Sequence, residues 1–70
     1  MFIHFSDLEA DYIYNTKFIE NIIKKHNADC FTIMFTSYNK TFKFKNSTDT
    51  NRVYSHIITI LESNQEGYYE

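Results

Sequence analysis

Proline is absent from this chain, and glycine and cysteine each occur once. Because proline and glycine interrupt helices and strands, their scarcity favours a compact unit without linkers. The single cysteine, Cys30, has no partner for an intramolecular disulfide, which favours a reducing compartment. No apolar run approaches the length of a membrane span, and residues 1–5 lack the basic region of a signal peptide. We therefore expect a cytoplasmic protein with no membrane partner.

Motifs of enzyme chemistry are missing as well. His4, His26 and His56 do not show the spacing of metal ligands. The only glycine, Gly67, lies near the C-terminal end, whereas a phosphate-binding loop needs glycine at a helix start. Cys30 opens a predicted strand, with no helix N-terminus placed to form an oxyanion hole. The sequence predicts no enzyme, no metal and no cofactor, and it does not by itself identify a function.

The length of seventy residues allows one domain with one small core. Seven phenylalanines and six tyrosines help such a core, since each buried ring removes a large apolar area from water. We predict a single domain over residues 1–65, followed by a tail of residues 66–70.

Residues 30–45 alternate between apolar and polar side chains on both sides of a polar break, which predicts a β-hairpin. Apolar residues that share one face of the hairpin form the predicted core. These are Phe31, Ile33, Phe35, Phe42 and Phe44. The opposite, open face is predicted to carry Thr32, Met34, Thr36, Thr41, Lys43 and Lys45. The break at Tyr38 and Asn39 is a weak turn signal because it lacks glycine.

Helices are predicted on both sides of the hairpin. Residues 1–5 favour a strand, and Ser6 and Glu9 then match the N-cap and N3 positions of a capping box. Apolar residues near one face of this first helix are Leu8, Tyr12, Ile19, Ile22 and Ile23. A break at Asn15 and Thr16 leaves open whether there is one helix or two, and Asn27 is expected to end it in the left-handed conformation.

A further helix follows the cap-rich residues 46–51. Its predicted apolar face consists of Val53, Tyr54, Ile57, Ile58, Ile60 and Leu61. The resulting order β-α-β-β-α predicts an α+β fold. In this fold a three-stranded, mostly antiparallel sheet carries both helices on one face.

Charges and tyrosines indicate candidate contact surfaces, because oppositely charged patches steer partners and tyrosine is enriched at interface hot spots. Acidic residues near the two ends could imitate a phosphate backbone in the basic groove of a partner. They are Asp7, Glu9, Asp11, Glu20, Glu62, Glu66 and Glu70. The complete set of predicted partner-binding residues is Tyr38, Asn39, Lys40, Lys43, Lys45, Asp7, Glu9, Asp11, Tyr14, Glu62 and Glu66.

Two alternatives to binding a larger protein remain open. The hairpin lysines, interleaved with phenylalanines, could form a weak nucleic-acid-binding module. Alternation opposes this interpretation, because Phe42 and Phe44 face away from Lys43 on a regular strand. The net charge of −2 opposes it further. The other alternative is a homodimer that pairs the open face through Thr32 and Met34.

Composition suggests a family resemblance. Usage rich in asparagine, isoleucine, lysine and phenylalanine is typical of an AT-rich genome. In size, acidity, aromatic content and compact α+β pattern, the chain resembles the small phage-encoded proteins that disable bacterial enzymes, such as anti-CRISPR proteins. The resemblance implies an inhibitor that docks on a larger host protein, in particular a nucleic-acid-handling or defence enzyme, in the cytoplasm of a bacterial host cell. No functional residue is carried over from it.

Overall fold

The structure, a computed structural model, describes residues 1–63. Its elements are β1 (Phe2–Ser6), β2 (Asp11–Asn15), a 3₁₀ turn (Thr16–Phe18), β3 (Ile19–Ile23), β4 (Cys30–Phe35), β5 (Asn39–Lys43) and α1 (Ser47–Ser63). β1 and β2 form an antiparallel hairpin, and β3, β4 and β5 form an antiparallel sheet with β4 in the centre. The predicted order β-α-β-β-α is wrong, because residues 1–63 contain one α-helix and two sheets. The predicted domain end and the tail 66–70 lie outside the described residues.

The predicted first helix is replaced by β2, the 3₁₀ turn and β3. Tyrosine, isoleucine, asparagine and threonine dominate residues 12–16, and these residues are poor helix formers, while tyrosine, isoleucine and threonine also favour strands. In a strand, Tyr12 and Tyr14 share a face, and their rings stack with centroids 5.8 Å apart. On a helix the same two rings would diverge by about 200°. The strand therefore packs two partly buried rings against the core, where the helix would pack one.

The predicted capping box of Ser6 and Glu9 is wrong, because this segment is the turn between β1 and β2 and its backbone bonds go to Asp7 instead of Ser6. The Asp7 side chain accepts hydrogen bonds from the backbone N–H groups of Glu9 (2.8 Å) and Ala10 (3.0 Å). An N-cap residue makes the same bonds to the second and third residues after it, so one local pattern serves both structures. Asn27 likewise adopts the expected left-handed conformation, with φ of 61°, but in the loop between β3 and β4 rather than at a helix end.

The hairpin predicted within residues 30–45 is confirmed as β4 and β5, with Phe31 opposite Phe42. Its turn is centred on Thr36 and Ser37 instead of the predicted Tyr38 and Asn39. The backbone N–H of Phe35 donates to the carbonyl of Tyr38 at 2.7 Å, which closes this turn. The shift places Tyr38 beside Phe35 at the end of the sheet.

The core lies between two layers. One layer is the three-stranded sheet, and the other consists of α1 and the β1–β2 hairpin. Across the layers the ring of Phe5 lies 5.0 Å from that of Phe42, and the ring of Tyr54 lies 6.0 Å from that of Phe31. The buried apolar residues are Ile3, Phe5, Phe31, Ile33, Phe35, Phe42, Phe44, Val53 and Ile57. All five core positions predicted for the hairpin are among them.

The helix α1 matches the predicted second helix. Asn46 caps it, accepting a bond from the backbone N–H of Asp49 at 2.8 Å through its side chain. Val53 and Ile57 are buried against the sheet, as their helical spacing predicts. Between residues 1 and 63, no helix combines the length and the hydropathy that a membrane crossing requires.

Candidate functional site

A small aromatic cleft lies at the end of the molecule where the β4–β5 turn meets the 3₁₀ turn. Its volume is about 190 Å³. The lining residues, which define the aromatic cleft, are Tyr14, Asn15, Phe18, Phe35, Thr36, Ser37 and Tyr38. Phe35 is only 6% exposed and forms the floor, whereas Phe18 is 50% and Tyr38 52% exposed. Two half-exposed rings therefore flank a buried one.

Backbone hydrogen bonds hold the walls of the aromatic cleft in place. The backbone N–H of Thr36 donates to the carbonyl of Phe18 at 2.9 Å, and its hydroxyl donates to the same oxygen at 3.3 Å. Asn15 caps the 3₁₀ turn by accepting a bond from the backbone N–H of Lys17 at 3.1 Å. The two turns that carry Phe18 and Tyr38 are thus joined to each other. The cleft is a preformed feature of the fold.

The rings pack closely along the floor. Phe35 lies between Tyr14, with centroids 4.6 Å apart, and Tyr38, at 4.9 Å and nearly parallel. Burial raises the pKa of Tyr14 to about 12, and the neighbouring Tyr38 adds to the shift. Burial and the carboxylate of Asp7 also raise the pKa of Tyr12, whose hydroxyl donates to Asp7 at 3.3 Å. The cleft therefore contains a Tyr14 phenol that stays neutral well above neutral pH.

We expect the free energy of unfolding to fall as the pH rises from about 10 to about 12. The folded state favours the protonated phenol of Tyr14, so the unfolded chain releases this proton first. The stabilisation is complete below the unfolded pKa of 10.0 and is lost as the pH passes through the folded value. Urea titrations across this range compare the wild type with Tyr14→Phe, which cannot ionise there. An equal fall in the free energy of unfolding of the wild type and Tyr14→Phe would contradict the expectation.

The structure brings two predicted contact residues together in the aromatic cleft, Tyr14 and Tyr38. Asn39 follows Tyr38 at the exposed start of β5, opposite Met34. Tyr14 and Tyr38 were predicted as contact residues from their residue type, but their meeting was not predicted. That meeting depends on how the β1–β2 hairpin packs on the sheet.

The hairpin lysines do not form one surface. Lys40 lies on the inner face of β5, where its ammonium group is 5.7 Å from the ring centroid of Tyr12 and 5.6 Å from that of Phe42. Lys43 points to the outer face, opposite Cys30, and Lys45 is exposed beyond the end of β5. The period of two already separates Lys40 from Lys43, since Lys40 stands two residues before the buried Phe42. This signal was available in the sequence.

The predicted acidic residues fall into separate groups. Asp7, Glu9 and Asp11 surround the β1–β2 turn, where Asp7 binds backbone groups and Asp11 accepts a hydrogen bond from the Ser6 hydroxyl. Glu20 and Glu62 line a different cleft, between β3 and α1. Glu66 and Glu70 lie outside the described residues. The hypothesis that acidic residues imitate phosphates rested on charge placement alone, and the described acids divide between the β1–β2 turn and the β3–α1 cleft.

Charged side chains flank three further clefts. One of about 410 Å³ between β1 and α1 contains His4, Arg52 and His56. One of about 260 Å³ is the β3–α1 cleft with Glu20 and Glu62, and one of about 240 Å³ holds Lys43 beside the β1–β2 turn. In the described part of the chain, no three histidine, cysteine or acidic side chains lie together in a way that could hold a metal ion. The lining of these three clefts is more polar than the lining of the aromatic cleft.

Sequence reasoning missed Phe18 and the apolar residues next to the aromatic cleft. Phe2 lies opposite Asn15 in the β1–β2 ladder, and the Met1 carbonyl accepts a bond from the backbone N–H of Thr16 at 2.9 Å. Met1 is 63% and Phe2 56% exposed, so the end of the β1–β2 hairpin near the cleft carries further exposed apolar side chains. Phe18 lies outside the predicted helical face, whereas alternation along the predicted first strand separates Phe2 from Ile3 and Phe5.

No family model, curated protein or solved structure matches this chain.

Proposed function

We propose that this chain is a small protein-binding domain that docks on a larger protein, with the aromatic cleft as its anchor. The observation that carries the proposal is the pair of half-exposed rings, Phe18 and Tyr38, beside the buried floor of Phe35. Interface hot spots consist of such preformed pockets, rich in tyrosine and other rings, which exclude water once a partner side chain enters.

The size of the aromatic cleft supports a side chain as the bound group. Clefts that bind small molecules or cofactors usually measure about 300–1,000 Å³. At about 190 Å³, this cleft suits a single side chain presented by a partner. Met1 and Phe2 add exposed apolar side chains at the same end of the β1–β2 hairpin.

The narrower form of the proposal is inhibition, as the resemblance to small phage-encoded inhibitors implies. Docking would then cover a working site of the partner, in particular of a nucleic-acid-handling or defence enzyme. The activity of the captured partner, measured with increasing amounts of this chain, tests this form. Full activity at saturation would show binding without inhibition.

The nucleic-acid alternative receives less support from the placement of the lysines. Lys40 is held over the rings of Tyr12 and Phe42 on the inner face, while Lys43 lies on the outer face. A strand of nucleic acid needs a continuous basic track beside its stacking rings. The homodimer alternative rests on Thr32 and Met34, which are half-buried on the outer sheet face. A melting temperature that rises with protein concentration would favour it.

Tyr38→Ala is expected to reduce retention of the partner about 30-fold or more, the effect of losing a hot spot of about 2 kcal/mol. The experiment is an affinity pull-down from bacterial lysate with tagged protein, with and without nuclease. Leu8→Ala is the matched control, since Leu8 is 64% exposed in the β1–β2 turn, outside the cleft. Circular dichroism verifies that both variants fold.

Two outcomes would contradict the proposed function. Equal retention by wild type and Tyr38→Ala would remove the aromatic cleft as the anchor. Loss of all recovery after nuclease treatment would instead assign binding to nucleic acid.

A further inference from the structure

We propose that the aromatic cleft binds an ammonium-type cationic side chain of the partner, a lysine or a methylated lysine. This inference rests on the proposed function and names the chemistry of the group that enters the cleft. Its support is the number of ring faces at the site, their spacing and the charge around them.

Four aromatic rings converge on the cleft, from Tyr14, Phe18, Phe35 and Tyr38. Tyr38 stacks one face on Phe35 at 4.9 Å, and it remains 52% exposed, so its other face is open. Phe18 is 50% exposed on the facing turn. The face of an aromatic ring is electronegative and attracts a cation within about 6 Å of the centroid. A cationic group that enters the cleft would meet the exposed rings of Phe18 and Tyr38.

Within the described part of the chain, the residues that line the cleft are aromatic or neutral polar, and the positive charge of Lys17 lies at its edge. The phenol oxygens of Tyr14 and Tyr38 can accept hydrogen bonds from an ammonium group. A neutral apolar side chain would fit the same volume, but it would gain only from burial. The electronegative ring faces add an attraction for an ammonium group that a neutral aliphatic side chain of the same shape does not receive.

Rings in this chain already attract ammonium groups. Lys24 lies 5.4 Å from the ring centroid of Tyr54, and Lys40 lies over Tyr12 and Phe42. At the edge of the cleft, the ammonium group of Lys17 is 5.7 Å from the ring of Phe18. The Phe18 ring is therefore accessible to a cation. Lys17 is also a nearby positive charge that an incoming ammonium group must tolerate.

The test compares choline with 3,3-dimethylbutan-1-ol, a neutral molecule of nearly the same shape, by titration followed with backbone amide NMR. Choline is expected to shift the amides of residues 14–18 and 35–38 and to bind about 3- to 10-fold more tightly than the neutral molecule. Phe18→Leu and Tyr38→Leu retain apolar bulk but lose a ring face, so each should reduce the preference for choline. Phe2→Leu, which removes an exposed ring not lining the cleft, is the control and should retain it.

A further variant, at Lys17, tests the effect of charge on binding without changing the rings of the cleft. Lys17→Met removes the neighbouring positive charge and is expected to tighten choline binding about two-fold, while binding of the neutral molecule stays the same. Equal or tighter binding of the neutral molecule by the wild type would overturn the cationic assignment, yet it would leave the cleft as an anchor for apolar side chains. Cleft amides that respond to neither molecule would overturn the assignment and also remove the support for the cleft as the anchor in the proposed function.

Discussion

Phe42→Ala is expected to leave most of the protein unfolded at room temperature. The Phe42 side chain is fully buried, and its ring lies 5.0 Å from those of both Phe5 and Tyr12 and 5.8 Å from that of Phe31. Removal of a buried ring of this kind costs about 3–5 kcal/mol. A domain of this length derives about 3–5 kcal/mol from its core, so the loss equals the whole stability.

Urea denaturation and thermal melts, followed by circular dichroism, measure this effect. Phe2→Ala is the matched control, because it makes the same change at a side chain that is 56% exposed on the same sheet as Phe5. The control should shift the free energy of unfolding by less than about 0.5 kcal/mol. A cooperative transition near that of the wild type in Phe42→Ala would show that the two layers do not meet at this ring.

Ile57→Asp should abolish the packing of α1 on the sheet. Ile57 is fully buried on the inner face of α1, and an aspartate there would be a charge without a partner. Such a change costs more than about 4 kcal/mol, which again exceeds the margin of so small a core. Amide NMR spectra are expected to lose the dispersion of a folded protein.

The control for this variant is Thr59→Asp. Thr59 is exposed two residues further along α1, so both variants place an aspartate in the helix interior and share its cost in helix propensity. The difference in unfolding free energy between the two variants therefore measures the cost of burying the aspartate. If the two proteins melt alike, α1 does not rest on the sheet through Ile57.

The sequence was sufficient to predict an element where its pattern of apolar residues fits only one type of secondary structure. The alternation from Phe31 to Phe35 and at Phe42 and Phe44 fits a strand and no helix, so the hairpin and its buried face follow from the sequence. The cap at Asn46 and the spacing of Val53 and Ile57 fit a helix in the same way. These elements carry most of the core.

Residues 6–27 contain two patterns at once. Leu8, Tyr12, Ile19 and Ile22 fall near one helical face, yet Tyr12 and Tyr14 also share one face of a strand. The strand is favoured because the rings of Tyr12 and Tyr14 pack against Phe35 and Phe42 of the other layer. That gain exists only once the second layer is in place, so a scan along the chain cannot weigh it.

The residues of the aromatic cleft were likewise predicted only in part. Tyr14 and Tyr38 were predicted as contact residues from their type, but Phe18 was not, and nothing local joins the three. Their convergence requires the β4–β5 turn at Thr36 and Ser37 and the hydrogen bond from Thr36 to Phe18.

The amino-acid sequence by itself determined the features that arise between near neighbours: the faces of β4 and β5, the start and buried side of α1, and the left-handed Asn27. The tertiary structure alone decided that residues 11–15 and 19–23 form strands, that Lys40 lies over rings of two elements, and that four rings meet in one cleft. The physical reason is that hydrogen bonds and side-chain alternation act over a few residues. Burial instead depends on surfaces that distant parts of the chain provide.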